Sequence, residues 1–130
     1  MFNSELFFNS LPILASAAVV TFKLFVCCVC LSLVAGTLSV MLQLSNNRAG
    51  YWVSRAYVSI MRGTPLLVQL FVVFFGLPLL GIKGQAFLAA TIAIGLNSGA
   101  YTTEILRAGI QNLPVGHIEA ATSIGMSHFR

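Results

Sequence analysis

The stretch NSGAYTTEILRAGI, Asn97 to Ile110, decides what kind of fold this chain adopts. It continues an apolar run that opens at Ala86, yet it carries an amide, a phenol, a carboxylate and a guanidinium. On a soluble helix these would be an ordinary wet face. The composition argues against that: of 130 residues 58% are hydrophobic, 8% are charged and none is Asp. Soluble domains are roughly a quarter charged, so lipid is the expected solvent. The net charge of +4 then bears on orientation. It gives no reason to expect nucleic acid, because the basic residues are scattered and form no aromatic-rich patch.

Laid on a helical wheel at about 100° per residue, Asn97 at zero puts Tyr101 near +40°, Glu104 near −20°, Ala108 near +20° and Gln111 near −40°. Upstream, Ala90 and Ala93 fall on the same face, while Ile92, Gly99, Leu106 and Ile110 lie opposite. A carboxylate at mid-bilayer costs about 2.5–3.5 kcal/mol on insertion scales, less near the edge, so Glu104 is expected to face a bundle interior or a wet cavity. Arg107, one turn on, is a possible partner. Two readings stand for this face. Asn97, Tyr101 and Glu104 can line a solute path or its gate, with Gln69 and Thr64 as secondary members. The small residues Ala90, Ala93 and Ala108 can equally be helix-to-helix contacts, and a single buried Gln can be a bond between helices.

Three apolar spans follow from hydropathy, at about 24–44, 65–82 and 86–106, in one domain over 1–130. Lys23 divides the first apolar stretch. Leu24–Leu44, 21 residues, matches the ~20 a bilayer core needs, and Leu11–Phe22 becomes an interfacial or extended helical lead-in. Thr64 can cap the second span with Pro65 at its first helical position, and Pro78 marks a kink or the far end. The third span is expected to run on to Leu113, where Pro114 and Gly116 break it. Between the first two spans, Arg48, Arg55 and Arg62 recur every seven residues and share a face with Ser59. That pattern fits an amphipathic surface helix with Trp52 and the tyrosines at headgroup depth; a polar connector whose arginines only set topology fits as well. With the N-terminus outside, five Lys/Arg lie inside (Arg48, Arg55, Arg62, Arg107, Arg130) and two outside (Lys23, Lys83), which favours N-out and C-in.

Cys27, Cys28 and Cys30 sit in an apolar run without metal spacing and read as lipid- or core-facing thiols. His117 and His128 read as exposed loop residues rather than metal ligands. The first residues lack the basic start of a secretory signal, so the N-terminus is expected to be retained.

The sequence after Pro114, VGHIEAATSIGMSHFR, allows a short helix from Gly116 to Ser123 with Gly125 as terminator. Here the chain resembles a known family. Glu119, Ala120, Ala121 and Gly125 match the EAA loop of ABC importer permeases. RGTPLLVQLFVVFFGLP (Arg62–Pro78) and LNSGAYTTEILRAGIQNLPVGHIEAA (Leu96–Ala121) resemble the permease subunits of polar amino-acid ABC importers, with the likeness covering about Thr21 onward.

The resemblance implies an all-α polytopic membrane protein of the bacterial inner membrane. It also implies a function as the permease subunit of an ATP-driven amino-acid importer. Its family members have five transmembrane helices and the N-terminus outside. They pair with a second permease subunit, identical or not. They receive the amino acid from an extracytoplasmic binding protein and dock on a cytoplasmic ATPase. The loop 114–130, with Gly116, Glu119, Ala120, Ala121 and Gly125, would be the coupling element. ATP and Mg would belong to the ATPase, and the G-x-x-x-x-G-K-[ST] loop is absent here. Since family members continue with two more spans, the sequence is expected to hold three of five crossings, as a fragment or a truncated gene product. A proton-coupled oligomeric exporter built around Glu104 is the alternative. A membrane-embedded enzyme finds no support: Ser98 and Glu104 point about 120° apart, and His117 lies beyond the Pro114 break.

Overall fold

A computed structural model describes residues 4–82 and 86–126, all helices and short connections in those segments. The elements are α1 (Ser4–Leu44), α2 (Arg48–Gly63), α3 (Leu66–Leu79), α4 (Ala86–Gln111) and α5 (Val115–Ser123).

The side-chain distribution is inverted relative to a soluble protein. The buried stripe of α1 runs Cys28, Ser32, Gly36, Ser39, Val40 and Gln43, small or polar residues at helical spacing. Its outer face is Val19, Val20, Phe22, Phe25, Leu33, Val34, Leu38 and Met41, all exposed. Apolar side chains outward and polar ones inward is the arrangement lipid selects. Residues Ser10–Leu44 form the one described helix long and apolar enough to cross a membrane. Its 35 residues span ~52 Å at ~1.5 Å each, well beyond a ~30 Å hydrocarbon core. Lys23 is exposed within continuous helix, and Leu11–Phe22 is the helical form of lead-in. Lysine is a good helix former, and no Gly, Pro or capping residue stands beside it to break the run. Pro12 lies inside the helix without ending it.

The main seam joins α1 to α4. An added Cβ at Gly36 would lie 2.7 Å from Thr102, and one at Gly95 2.7 Å from Leu31, so these glycines set how closely the two backbones approach. Across the seam the Ser32 and Thr102 hydroxyls are 3.0 Å apart. Beside it, α2 is capped by Asn47, whose Oδ1 accepts from Ala49 and Gly50 N–H. α2 is fastened to α1 by a buried cluster. The Ser54 hydroxyl donates to Ser39 O at 2.9 Å, lies 2.6 Å from Ser39 Oγ, and accepts from Gln43 Nε2 at 3.0 Å.

α2 and α3 meet at a bend of 108°. Proline disfavours helical geometry in the residue before it, and Thr64 is extended (φ −119°, ψ 145°). Thr64 therefore ends α2 instead of capping α3, its hydroxyl donating to Ile60 O at 2.8 Å. Pro65 takes the N-cap position and Leu66 starts the helix. α3 ends at Leu79, one residue after Pro78, and α4 runs from Ala86 to Gln111. By length and hydropathy one described helix is a clear span, and the bent pair of α2 and α3 counts as a second if it forms one crossing. α5 shares no extended interface with the other helices among the described residues. It ends as the sequence suggests: Gly125 adopts φ +78°, and Met126 N–H bonds back to Ala121 O. Lys83, His128 and Arg130 lie outside the described residues.

Candidate functional site

The predicted polar face of α4 resolves into two neighbouring arrangements. The upper one closes the α2–α3 bend. The last carbonyls of a helix have no partner within it, and Met61 O is one of these in α2. It accepts from Asn97 Nδ2 and from Gln69 Nε2, both at 2.9 Å. Asn97 Nδ2 also donates to Gln69 Oε1 at 3.0 Å, and Gln69 Nε2 reaches Thr64 Oγ1 at 2.6 Å and Thr64 O at 3.2 Å. Asn97, Gln69 and Thr64, from three different helices or their ends, therefore meet, as their grouping in the sequence suggested. Their amide donors are spent on the end of α2. Tyr57 ties the same corner from the other side, donating to Leu96 O at 2.6 Å.

The lower arrangement is an open notch of about 430 Å³ between α2 and α4. Arg55, Val58, Ser59, Arg62 and Gly63 form one wall, Tyr101 and Glu104 the other. Glu104 Oε2 accepts from Arg107 Nη2 at 3.0 Å, the partner one turn away that the spacing anticipated. Arg62 Nη1 approaches the same oxygen at 3.7 Å, and its guanidinium lies over the Tyr101 ring, 5.4 Å from the centroid. That geometry combines an ion pair with a cation–π contact. Arg107 Nη1 reaches on to Gln111 Oε1 at 3.3 Å. The three side chains Arg62, Glu104 and Arg107 are 44%, 24% and 29% exposed, so water still screens the charges.

Sequence reasoning missed Arg55, Ser59 and Arg62 as site residues. Their shared face was visible, but which helix they would confront was not. The small residues divide: Ala93 is buried, Ala90 half-buried and Ala108 exposed. Gly116, His117, Glu119 and Ala120 are exposed on α5 and Ala121 is half-buried, leaving the Glu-Ala-Ala segment accessible. Among the described residues no group of His, Cys, Asp and Glu could hold a metal ion, and Cys27 and Cys30 are exposed while Cys28 is buried.

A long lipid-facing helix, an inward polar seam and a projecting terminal helix define an all-helical membrane protein. The sequence profile of the family described as binding-protein-dependent transport system inner membrane component matches residues 29–130, and the chain belongs to that family. The arginine transport system permease protein ArtQ of Bacillus subtilis (strain 168) is 39% identical over 119 residues, covering 91% of this chain and 54% of that protein. A putative glutamine transport system permease protein GlnP of Rickettsia conorii is 40% identical over 124 residues, covering 95% and 57%. A chain from the crystal structure of an amino acid ABC transporter with histidines superposes with a TM-score of 0.85 at 35% identity, over 98% of this chain and 60% of that one. The chain thus spans a little more than half the length of these relatives.

Proposed function

We propose that the chain is the N-terminal part of a permease subunit of an ATP-driven amino-acid importer. In this reading α1, α3 and α4 are three crossings of an expected five. α2 lies at the cytoplasmic interface, the N-terminus is outside, and α5 faces the cytoplasm. The amino acid is delivered by an extracytoplasmic binding protein and passes between two permease subunits. ATP and Mg are held by a separate ATPase, so this chain hydrolyses nothing. Tyr101 and Glu104 face the path, and Asn97, Gln69 and Thr64 hold the α2–α3 bend at its edge. The names of the relatives support an amino acid as cargo and weigh against a proton-driven exporter.

The observation that carries the proposal is α5. It is an accessible nine-residue helix bearing Glu119, Ala120 and Ala121, a short break beyond the end of α4 and unburied by the rest of the chain. Small side chains on such a helix let a partner surface come close. In a full-length permease, Glu119→Lys is expected to abolish co-purification of the ATPase subunit while leaving membrane insertion intact. Equal recovery of the ATPase with and without the substitution would remove the coupling role.

A further inference from the structure

We propose that the notch between α2 and α4 is a phosphate-anion site, taking the headgroup of an anionic phospholipid or a free phosphoryl group. The argument begins with charge. Arg55 and Arg62 line the notch with Glu104, the only acid there, and Glu104 is drawn onto Arg107 at 3.0 Å and shared with Arg62 at 3.7 Å. Arg55 pairs with no acid among the described residues. Two guanidiniums therefore share one carboxylate, Arg55 adds a third charge that no acid answers, and the surplus is positive. Such a surplus suits a phosphate, whose oxygens can take the guanidinium donors that Glu104 leaves over. Guanidinium groups grip phosphate oxygens through paired N–H donors, and Ser59 lines the same notch as the two arginines. A space of about 430 Å³ is of the size that holds a small polar ligand.

The surroundings of the notch point to the membrane surface. The arginine stripe of α2 is bordered by Trp52, 68% exposed, and by Tyr51. Val53 and Ile60 are exposed on a separate flank, away from the buried Ser54 and Val58. A helix with one face in the protein, one apolar face bare and a basic stripe edged by aromatics is built for headgroup depth. Anionic headgroups are concentrated there, and each basic residue close to the surface contributes roughly a fivefold gain in binding. The notch shares Tyr101 and Glu104 with the proposed path, and the inference rests on the reading that puts α2 at the membrane surface; lipid binding is measured without transport, so either can fail alone.

The test uses the full-length transporter complex, delipidated and titrated in native mass spectrometry with phosphatidylglycerol, with phosphatidylcholine and with inorganic phosphate. Phosphatidylglycerol is expected to bind more tightly than phosphatidylcholine, and Arg55→Gln to weaken it roughly fivefold. Arg55 is exposed and unpaired with acid, so the variant is expected to melt like the parent. Arg48→Gln, on the same stripe but outside the notch, is expected to have a clearly smaller effect. Displacement of the lipid by millimolar phosphate would identify free phosphoryl groups as ligands too; failure to displace it would assign the site to lipid, and either supports an anion site. The proposal is overturned if Arg55→Gln leaves phosphatidylglycerol binding unchanged, or if it and Arg48→Gln weaken binding equally, which would mean diffuse charge and no site.

Discussion

Gly36→Ala tests the placement of every group on α4, because Gly36 fixes the register of α4 against α1. A methyl group there would sit 2.7 Å from both Cβ and Cγ2 of Thr102 and 3.1 Å from Gly99 O. An ordinary contact begins at 3.4 Å, so the seam must open by about 0.7 Å. Neither Thr102 nor Gly99 O can give way easily, since one is β-branched at the contacting carbon and the other is a backbone carbonyl. Opening would stretch the Ser32–Thr102 hydroxyl contact, now 3.0 Å, and the Thr103 to Gly36 O contact, now 3.5 Å. Overpacking of this kind costs about 1–3 kcal/mol. Gly109→Ala makes the same chemical change farther along α4, where nothing lies within 4 Å. There it removes a helix-weakening glycine and is expected to gain up to about 1 kcal/mol. The two substitutions should move thermal unfolding of the detergent-solubilised permease in opposite directions, and Thr102→Gly should recover part of the Gly36→Ala loss. If Gly36→Ala is as benign as Gly109→Ala, the α1–α4 register is wrong, and the positions of Tyr101 and Glu104 in the notch go with it.

Three further substitutions probe the corner and the notch. Asn97→Ala removes both donors of the amide but leaves Met61 O with Gln69, so a loss of about 1–3 kcal/mol is expected in thermal melts, together with slower uptake by the complete transporter. Ser54→Ala strips Gln43 of its partner in a site where Gln43 Oε1 already has none, and about 1–3 kcal/mol should be lost; adding Gln43→Leu should restore most of it, because an apolar pair leaves nothing unsatisfied. Glu104→Gln is expected to lower uptake strongly while changing stability by less than about 1 kcal/mol, since its arginine partners are partly wet. A melting loss as large as that of Asn97→Ala would make Glu104 a structural strut.

What could be read in the sequence was whatever leaves a mark on side-chain type. The heptad of arginines gave α2, the polar face of α4 gave the Glu104–Arg107 pair, and Gly125 gave the end of α5. Two kinds of feature left no such mark. Backbone acceptors are one. The Met61 carbonyl organises Asn97 and Gln69, yet its residue type says nothing about an unpaired oxygen. Packing partners are the other. Ser39 and Gln43 lie four apart in an apolar run, but only the fold supplies Ser54 as the group they share. Lys23 marks no helix end, because helices end at caps, glycines and prolines and none stands beside it.

Hydrogen-bonding commitments differ with depth along the polar face of α4. Asn97 commits both of its N–H groups within the chain, so a passing solute could meet only its carbonyl oxygen. One turn below, Tyr101 is 47% exposed and Glu104 opens onto the notch, so these groups keep surface to offer. The division has a physical cause. The proline that bends α2 away from α3 frees carbonyls at the end of α2, and in an apolar solvent such carbonyls must be answered by side chains. Asn97 and Gln69 are therefore polar first because the bend requires it. Glu104 has no such obligation: among the described residues its partners are the side chains of Arg62 and Arg107, and its ion pairs bring these two arginines to the rim of an accessible space. A polar residue in a membrane helix whose removal would strand no backbone group is the stronger candidate for function, and by that criterion the weight moves from Asn97 to Glu104 and Tyr101.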